Sequence, residues 1–295
     1  MSKKLSVITI CYNIKDEIER TCESIVNQTN KNFEWIVVDG GSTDGTVEIL
    51  NKYKKHIDVL ISEPDKGIYN AMNKGIKRAT GEFLNFMNGG DCFASSQVVD
   101  DFLKQDTDGV DIFYGNINVI SNGSKTYLSS YPHKLEKLWF CKHCIGHQAT
   151  FIRRELFEKY GLYNEQYRIV SDWEKWIIFI INRCVFEQWN YVVADFYDGG
   201  VGSTLSPRHI QERKEIEQKY FTEEERKMTE KFVPFSRFYI LFNFLPLLQI
   251  KCKNDGNKYI VHLFNLIPLY KIVRKEGITK HYVFSFLQWL KIKEK

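Results

Sequence analysis

Four short polar stretches stand out because each directly follows an apolar run in the first hundred residues. They lie at 11–13, 39–46, 63–67 and 88–91, and each contains Asp, Asn or Gly. Carboxylates and amides bind metal ions and nucleotides, and Gly lets the backbone approach a phosphate closely. Asp and Gly are also ordinary turn residues. Four such stretches at corresponding places nevertheless favour a ligand site over four unrelated turns.

The elements that must position these stretches alternate between strand and helix. Runs rich in β-branched and aromatic residues predict four strands, at 5–10, 33–40, 57–62 and 82–87. Helices are predicted between them, at 15–28, 44–54 and 67–79. This order indicates βαβ units and a mainly parallel sheet. Ligands of such sheets bind beyond the carboxyl ends of the strands, which is where the polar stretches fall.

The middle of the chain mixes both kinds of element. Two strands, at 110–120 and 125–131, flank a hairpin signal. Residues 147–161 predict a strand followed by a short helix, and 172–181 predict an apolar helix with an acidic start. Strand character returns at 185–203, and a charged helical stretch follows at 207–231.

Composition and charge limit the class of protein. The 295 residues are 43% apolar and 26% charged, which excludes a disordered, collagen-like or small disulfide-bonded chain. The net charge of +4 hides a division. Residues 226–295 hold 14 Lys/Arg against 4 Asp/Glu, so this tail is +10 and the remainder is −6. A basic tail on an acidic body suggests an anionic partner.

The tail contains an internal repeat. Residues 241–253 align with 263–275 at an offset of 22, and a degenerate third copy follows at 283–295. Each copy is aromatic and aliphatic, then basic, which is typical of elements that lie in a membrane interface over anionic lipid. The alternative is a small helical subdomain with solvated charges. Pro246 and Pro268 exclude one long straight helix.

Three features of the sequence bear on the cellular location of the protein. The seven Cys are odd in number, and the Met1 start leads directly into a strand rather than a signal peptide. No apolar run reaches the roughly 18–20 residues that cross a bilayer. We therefore expect a reducing, cytoplasmic location without a membrane span.

In this order, the segments VITICYN, WIVVDGGSTDGT, EPDKGIYNAMNKGI and GEFLNFMNGGD resemble the nucleotide-sugar half of a family 2 glycosyltransferase with the GT-A fold. The segment GHQATFIRRELFEKYGLYNEQYRIVSDWEKW is similar to the acceptor half of such enzymes. The resemblance covers residues 4–205 and is of the bacterial polysaccharide-biosynthesis type. It implies an α/β fold with a Rossmann-like, mainly parallel sheet flanked by helices. We also expect a basic, aromatic, helical extension on the C-terminal side of this α/β domain.

The resemblance also implies an inverting transfer in which a nucleoside diphosphate leaves the anomeric carbon. Family members hold Mn²⁺ or Mg²⁺ with a DxD-like motif, which here corresponds to Asn88-Gly89-Gly90-Asp91. Only the last acid is present, so Asp91 is the expected metal ligand. Asp172 is the expected catalytic base, with Glu174 as the alternative. A carboxylate at a helix N-terminus is favoured in its ionised form.

The same resemblance assigns the donor site. The expected nucleotide-binding residues are Thr9, Tyr12, Asn13, Asp39, Asp65 and Lys66. Among these, Asp39 would accept a hydrogen bond from a uracil N–H, Tyr12 would flank the base or ribose, and Lys66 would offset phosphate charge. The expected contacts to donor sugar or acceptor are Asn88, Gly90, His147, Gln148 and Trp173. The loop at 199–203 resembles the mobile loop of the family.

Three alternatives remain at this point. Cys141, His143, Cys144 and His147 are zinc-ligand types, but four ligands on one loop are sterically awkward and no second pair follows. A sugar nucleotidyltransferase would carry a Gly-rich, basic signature after the first strand, where this chain has Tyr12-Asn13. A non-catalytic GT-A scaffold on the membrane is supported only by the incomplete DxD-like motif.

The expected organisation is a GT-A domain at 1–225, divided into a nucleotide-sugar half (1–105) and an acceptor half (106–225), with the basic tail at 226–295. The expected donor is a UDP-hexose or UDP-N-acetylhexosamine, and the expected acceptor is a lipid-linked glycan or a polysaccharide. The protein would lie on the inner face of the cell membrane through residues 232–295. Nucleic acid is not an expected partner, and a homodimer is compatible with the sequence.

Overall fold

Four parallel strands form the first half of a nine-stranded sheet in this computed structural model. They are β1 (Leu5–Cys11), β2 (Phe33–Asp39), β3 (Val59–Ser62) and β4 (Phe83–Phe86). Helices α1 (Ile18–Val26), α2 (Thr46–Lys52) and α3 (Ile68–Arg78) connect them. The strands lie in the order β3-β2-β1-β4, and every residue of β1, β2 and β4 is buried. The predicted parallel βαβ arrangement is confirmed.

The structure describes residues 4–121, 123–199 and 206–231, and the strands of the tail given below. The chain divides into two units, Met1–Tyr220 and Phe221–Lys295. The expected loop at 199–203 lies outside the described residues except for Gly199. Every helix in the described ranges lacks the length or the apolar character that a bilayer span requires.

The second half of the sheet continues from β4 through strands of mixed direction. Its strands are β5 (Cys92–Phe93), β6 (Ile112–Ser121), β7 (Ser124–Ser129), β8 (Thr150–Arg153) and β9 (Phe186–Tyr197). The helices are α4 (Val98–Leu103), α5 (Lys137–Phe140), α6 (Glu155–Tyr160), α7 (Ser171–Ile181) and α8 (Pro207–Tyr220). The full order is β3-β2-β1-β4-β8-β6-β9-β5, with β7 paired to β6. The predicted β6–β7 hairpin and the strand and helix within 147–161 are confirmed.

The predicted helix at 207–231 is two helices, because α8 ends at Tyr220 and α9 (Glu223–Lys231) begins after Thr222. Thr222 and Glu225 form a capping box at this start. The Thr222 backbone N–H donates to Glu225 Oε2 at 2.8 Å, and the Glu225 N–H donates to Thr222 Oγ1 at 3.2 Å.

The tail folds as strands, so the expected helical extension is wrong for the repeat. Six antiparallel strands pair in chain order. They are β10 (Phe238–Leu241), β11 (Leu245–Lys253), β12 (Lys258–Leu263), β13 (Ile267–Lys275), β14 (Ile278–Phe284) and β15 (Trp289–Lys293). Each copy of the repeat therefore covers the last one or two residues of one strand and all of the next strand, which is β11, β13 or β15. Aromatic and β-branched residues favour strands, and mid-unit prolines disfavour helices.

The prolines of the repeat coincide with breaks in the strand pairing. Pro246 pairs with Ile240 just after a register shift, and Pro268 pairs with His262 just after the equivalent shift. Proline lacks a backbone N–H, so within a sheet it is tolerated at bulges. The third hairpin, β14–β15, has neither a proline nor a shift in its register. The two copies that contain a proline therefore share the same backbone irregularity, and the third copy lacks it.

Glu34 on β2 joins three segments of the first unit. Its carboxylate accepts hydrogen bonds from the Ser6 hydroxyl, from the backbone N–H and hydroxyl of Thr80, and from the Gly81 N–H. Burial raises the pKa of this carboxyl, but the hydrogen bonds outweigh burial and the net pKa is lowered. The ionised form therefore fastens the turn before β4 to β1 and β2.

Replacing this carboxylate should destabilise the fold in a pH-dependent way. Because the pKa is lower in the folded than in the unfolded state, Glu34 stabilises the fold above the unfolded pKa, and this contribution disappears as the pH falls. We expect Glu34→Gln to lower the free energy of unfolding by about 2 kcal/mol at pH 7. Urea denaturation at pH 7 and pH 3.5 measures the effect, with Glu48→Gln on an exposed face as control. An equal loss at both pH values would contradict this account.

Candidate active site

A cavity of about 450 Å³ opens beyond the carboxyl ends of β1 and β4. Helices α1, α3 and α7 and the end of β9 contribute to its walls. Eight of the predicted site residues line it: Tyr12, Asp65, Asn88, Gly90, Asp91, His147, Gln148 and Asp172. The strand ends therefore place both the expected metal ligand and the expected base around one cavity.

Two predicted residues lie in the protein interior instead. Thr9 is fully buried, and its Oγ1 accepts a hydrogen bond from Trp35 Nε1 at 3.0 Å. Trp173 is 1% exposed, and its Nε1 donates to the Phe140 carbonyl at 2.7 Å. Neither residue lines the cavity. Through these hydrogen bonds, Thr9 joins β1 to β2 and Trp173 joins α7 to α5.

Asp39 is also fully buried and closes the turn after β2. Its carboxylate accepts hydrogen bonds from the backbone N–H groups of Gly41 and Ser42 and from the Ser62 hydroxyl. Asn13 and Lys66 are exposed outside the cavity. The Asn13 side chain accepts from the Thr43 N–H at 2.9 Å, so it too supports the loop after β2.

Tyr12 and Asp65 meet over Gly40 at the rim of the cavity. A Cβ atom at Gly40 would lie 2.5 Å from Asp65 Oδ2 and 3.3 Å from Tyr12 Cδ2, so a side chain at this position would displace the Asp65 carboxylate. The Tyr12 ring is 61% exposed, which is unusual for a large aromatic residue. An open ring beside a carboxylate can flank a planar base and accept hydrogen bonds from it or its ribose.

Asp172 lies in the first turn of α7 and accepts three hydrogen bonds. Oδ1 accepts from the Tyr69 hydroxyl at 2.9 Å and from the Trp173 N–H at 2.8 Å, and Oδ2 accepts from His147 Nδ1 at 3.2 Å. Burial raises the pKa of Asp172, but His147, Tyr69 and the Trp173 N–H together lower it below its usual value. The carboxylate is therefore ionised at neutral pH and able to accept a proton.

Glu174, the alternative base, has a different role. It is 3% exposed and does not line the cavity. Its Oε1 accepts hydrogen bonds from Lys219 Nζ and the Tyr220 hydroxyl, each at 2.9 Å. Glu174 thus fastens α8 to α7, which leaves Asp172 as the carboxylate on the cavity side of α7.

The short 3₁₀ helix His147–Ala149 connects the two carboxylates of the cavity. His147 Nδ1 contacts Asp172 Oδ2, and His147 Nε2 lies 2.8 Å from Asn88 Nδ2. Both contacts are satisfied when the neutral imidazole carries its proton on Nδ1. The next residue, Gln148, donates from Nε2 to Asp91 Oδ2 at 2.8 Å. Adjacent residues therefore position the expected base and the expected metal ligand.

Asp91 has the opposite electrostatic character to Asp172. It is 6% exposed, and burial raises its pKa to about 6 despite hydrogen bonds from Gln148 and the Tyr197 N–H and the nearby charge of Arg20. A carboxylate that is costly to ionise gains from any cation placed next to it.

The residues around Asp91 fit a cation held mainly by its substrate. Asn88 lies close to Asp91 in the chain. Its Oδ1 atom is buried and has no hydrogen-bond partner. Carboxylate and amide oxygens suit Mn²⁺ or Mg²⁺, and diphosphate oxygens and water supply the remaining ligands. Among the residues that the structure describes, no three His, Cys, Asp or Glu side chains converge as a metal site, and this includes Cys141, His143 and Cys144.

Comparison with known proteins identifies the family. The sequence profile described as "Glycosyl transferase family 2" matches residues 6–161. A PGL/p-HBAD biosynthesis glycosyltransferase of Mycobacterium bovis is 31% identical over 216 residues, which are 70% of this chain and 82% of the relative. The chain belongs to glycosyl transferase family 2.

Solved structures share the fold at low identity. Staphylococcus aureus TarS in complex with UDP-GlcNAc aligns with a TM-score of 0.62 at 20% identity, covering 78% of this chain and 70% of that chain. The mannosyltransferase PcManGT of Pyrobaculum calidifontis, in complex with GDP-Man and Mn²⁺, has a TM-score of 0.50 at 17% identity and covers 72% of this chain and 61% of its own. The GT-A fold class expected from the sequence is confirmed.

Two cavity residues of this glycosyltransferase are not singled out by sequence reasoning. Tyr69 lies within the EPDKGIYNAMNKGI segment, but its contact with Asp172 spans 103 residues and has no local signal. Arg20 on α1 donates from Nε to the Gly90 carbonyl at 2.7 Å and lies 4.0 Å from the centre of the Tyr197 ring. In the sequence, Arg20 is one charge among several on a helix.

Removing the Asp91 carboxylate should stabilise the protein without its ligands. Because the pKa of Asp91 is raised in the folded state, ionisation between about pH 4 and 6 reduces stability, by roughly 2–3 kcal/mol at neutral pH. We expect Asp91→Asn to raise the free energy of unfolding at pH 7.5 by a substantial part of this amount, with little difference at pH 4. Urea denaturation at both pH values measures it, and Asp108→Asn on an exposed loop is the control. A larger gain at pH 4 than at pH 7.5 would refute this prediction.

Proposed function

We propose that this family 2 glycosyltransferase transfers a sugar with inversion from a UDP-hexose or UDP-N-acetylhexosamine to an acceptor hydroxyl. The acceptor is a lipid-linked glycan or a growing polysaccharide. The observation that carries the proposal is the junction at His147–Gln148, where one 3₁₀ helix holds Asp172 and Asp91 on the same cavity. Asp172, which is ionised, is suited to taking a proton. Asp91, which is costly to ionise, is suited to facing a cation that is bound to a diphosphate.

The nucleotide would lie at the Tyr12 side of the cavity. The exposed Tyr12 ring offers a face for the base, and Asp65 offers acceptor oxygens next to it. Arg20 lines the cavity near Gly90 and supplies a positive charge for the diphosphate. The UDP-GlcNAc complex of TarS, which shares the fold, supports a uridine nucleotide as the donor's leaving group.

We further propose that Mn²⁺ or Mg²⁺ binds with the diphosphate. Asp91 would hold the ion, with Asn88 Oδ1 as a second oxygen from the protein. When bound, such an ion offsets the negative charge that grows on the departing diphosphate. The complex of PcManGT with Mn²⁺ supports this choice of cation.

Asp172 would then act as the base. As the acceptor oxygen attacks the anomeric carbon, its hydroxyl proton moves to the Asp172 carboxylate, and the bond from carbon to diphosphate breaks with its electrons leaving on the UDP. Tyr69 and His147 keep the carboxylate oriented by hydrogen bonds to its two oxygens. A base held in this way loses little entropy when the acceptor arrives.

The acceptor is proposed to be membrane-borne, with the protein on the inner face of the cell membrane. The support is the +10 charge of residues 226–295, which contrasts with the −6 of the remainder of the chain. Anionic lipid attracts such segments.

Replacing the base should abolish transfer. We expect Asp172→Asn to lower the rate of UDP release at least 100-fold, because the amide cannot accept the acceptor's proton. UDP release from UDP-glucose and UDP-N-acetylglucosamine is followed with Mn²⁺, with and without a glycolipid acceptor. Asp16→Asn, which changes an exposed carboxylate outside the cavity, should retain wild-type rates.

The two ways in which this experiment can fail have different meanings. Full activity in Asp172→Asn would remove Asp172 from the role of base while leaving the enzyme class intact. No UDP release by the wild-type protein from any UDP-sugar would overturn the proposed donor. It would then favour the alternative of a non-catalytic scaffold.

His147 should act through Asp172. Because His147 lowers the pKa of Asp172, His147→Leu should raise this pKa and shift the acid limb of the rate–pH profile to higher pH. We expect kcat at neutral pH to fall roughly 10-fold. His147→Asn keeps an N–H close to the position of Nδ1 and should restore most of the rate. An unshifted acid limb in His147→Leu would show that the histidine is only a packing residue.

A further inference from the structure

The strands of the tail carry basic residues and no acidic ones. Strands β10 to β15 hold nine Lys or Arg, whereas the four acids of residues 226–295 all lie outside these strands. Strand pairing and turn formation do not require such a bias. The position of these residues in the sheet indicates what they are for.

The register places all eight lysines of strands β11 to β15 on one face of the sheet, seven in two rows and Lys275 beyond the second row. One row across five strands runs Lys251–Ile260–Lys271–Tyr282–Lys291. A second row, two residues along each strand and therefore on the same face, runs Lys253–Lys258–Val273–Lys280–Lys293. We call the face defined by these two rows the lysine face.

The opposite face has a different composition. The row between the two lysine rows runs Cys252–Tyr259–Ile272–His281–Ile292, and the next row of this face runs Ile250–Val261–Tyr270–Val283–Leu290. Neither row contains a lysine, and Arg274, which pairs with Thr279, is the one Lys or Arg of these five strands on this face. Because alternate residues of a strand belong to opposite faces, the register separates the lysines of strands β11 to β15 from these two rows.

We propose that the lysine face binds the anionic headgroups of a lipid bilayer. Lysine positions two strands apart in one row are about 10 Å from each other, and the two rows are about 7 Å apart, so the positions form a two-dimensional array. A lipid surface presents its phosphates in two dimensions, whereas a linear polyanion would engage one row. The proposal rests on the proposed function in one respect, the membrane-borne acceptor.

This assignment changes how the tail would attach. The sequence alone suggests aromatic residues that enter the lipid interface, with lysines at their edge. The register instead gathers the lysines on a face of their own, which predicts an electrostatic and salt-sensitive contact. Each lysine near an anionic surface contributes about fivefold in affinity, so three lysines contribute roughly 100-fold.

The test uses the full chain, vesicles and no sugar donor. Co-sedimentation is measured with vesicles of phosphatidylcholine containing 30 mol% phosphatidylglycerol, and with phosphatidylcholine alone, at several salt concentrations. K251Q/K271Q/K291Q removes the first lysine row. The control K54Q/K55Q/K125Q removes the same charge from exposed lysines of the first unit. Binding by K251R/K271R/K291R and an unchanged circular dichroism spectrum show that loss of binding is not loss of fold.

We expect roughly 100-fold weaker binding to anionic vesicles for the first variant, and less than threefold for the control. The arginine variant should bind like the wild type. Equal losses in the first variant and the control, or equal binding to neutral vesicles, would overturn the proposal. Tight binding to soluble polyphosphate without binding to vesicles would also overturn it and assign the face to a polyanion. Because no donor is present, UDP release tests the transferase independently.

Discussion

The site depends on one turn of 3₁₀ helix, in which neighbouring residues hold carboxylates from distant parts of the chain. His147 reaches Asp172 across 25 residues, and Gln148 reaches Asp91 across 57. Both contacts are shielded from solvent at least in part, and a hydrogen bond there is stronger than in water. A single short element therefore bridges the two carboxylates, and Tyr69 and the Tyr197 N–H add one further hydrogen bond to Asp172 and Asp91, respectively.

The same arrangement gives two chemically equal side chains different properties. Asp172 receives a full set of hydrogen bonds, so its pKa is lowered, while burial dominates at Asp91 and raises its pKa to about 6. Environments that separate the pKa values of paired carboxyl groups divide their roles in catalysis. In the proposed mechanism, the cost of ionising Asp91 falls on the donor side, where a cation bound to the diphosphate would offset it. Asp172, the proposed base, is already favoured in its ionised form without a ligand.

Much of this organisation can be predicted from the sequence, because parallel strands place their carboxyl ends at one edge of a sheet. That rule is enough to bring Tyr12, Asp65 and Asp91 to one cavity. It fails for Thr9, which belongs to β1 itself and is fully buried. The family resemblance, which suggests Trp173, does not show that Trp173 is buried while its neighbour Asp172 lines the cavity. Tyr69 and Arg20 are missed because their contacts are tertiary. The helical tail was expected from composition, although its prolines and aromatic residues suit bulged strands better.

The hairpin repeat of the tail, which has bulges at Pro246 and Pro268, has a consequence for how the tail can vary. Each hairpin pairs only with its neighbours in the chain, so the sheet is a linear stack of like modules. In such stacks, stability is a sum of terms from each module and each junction. Adding or deleting one module of about 22 residues would change the area and charge of the sheet in a single step, with the remaining register preserved. The number of hairpins would therefore set the area and charge of the tail. This number could change without altering the residues of the cavity in the first unit.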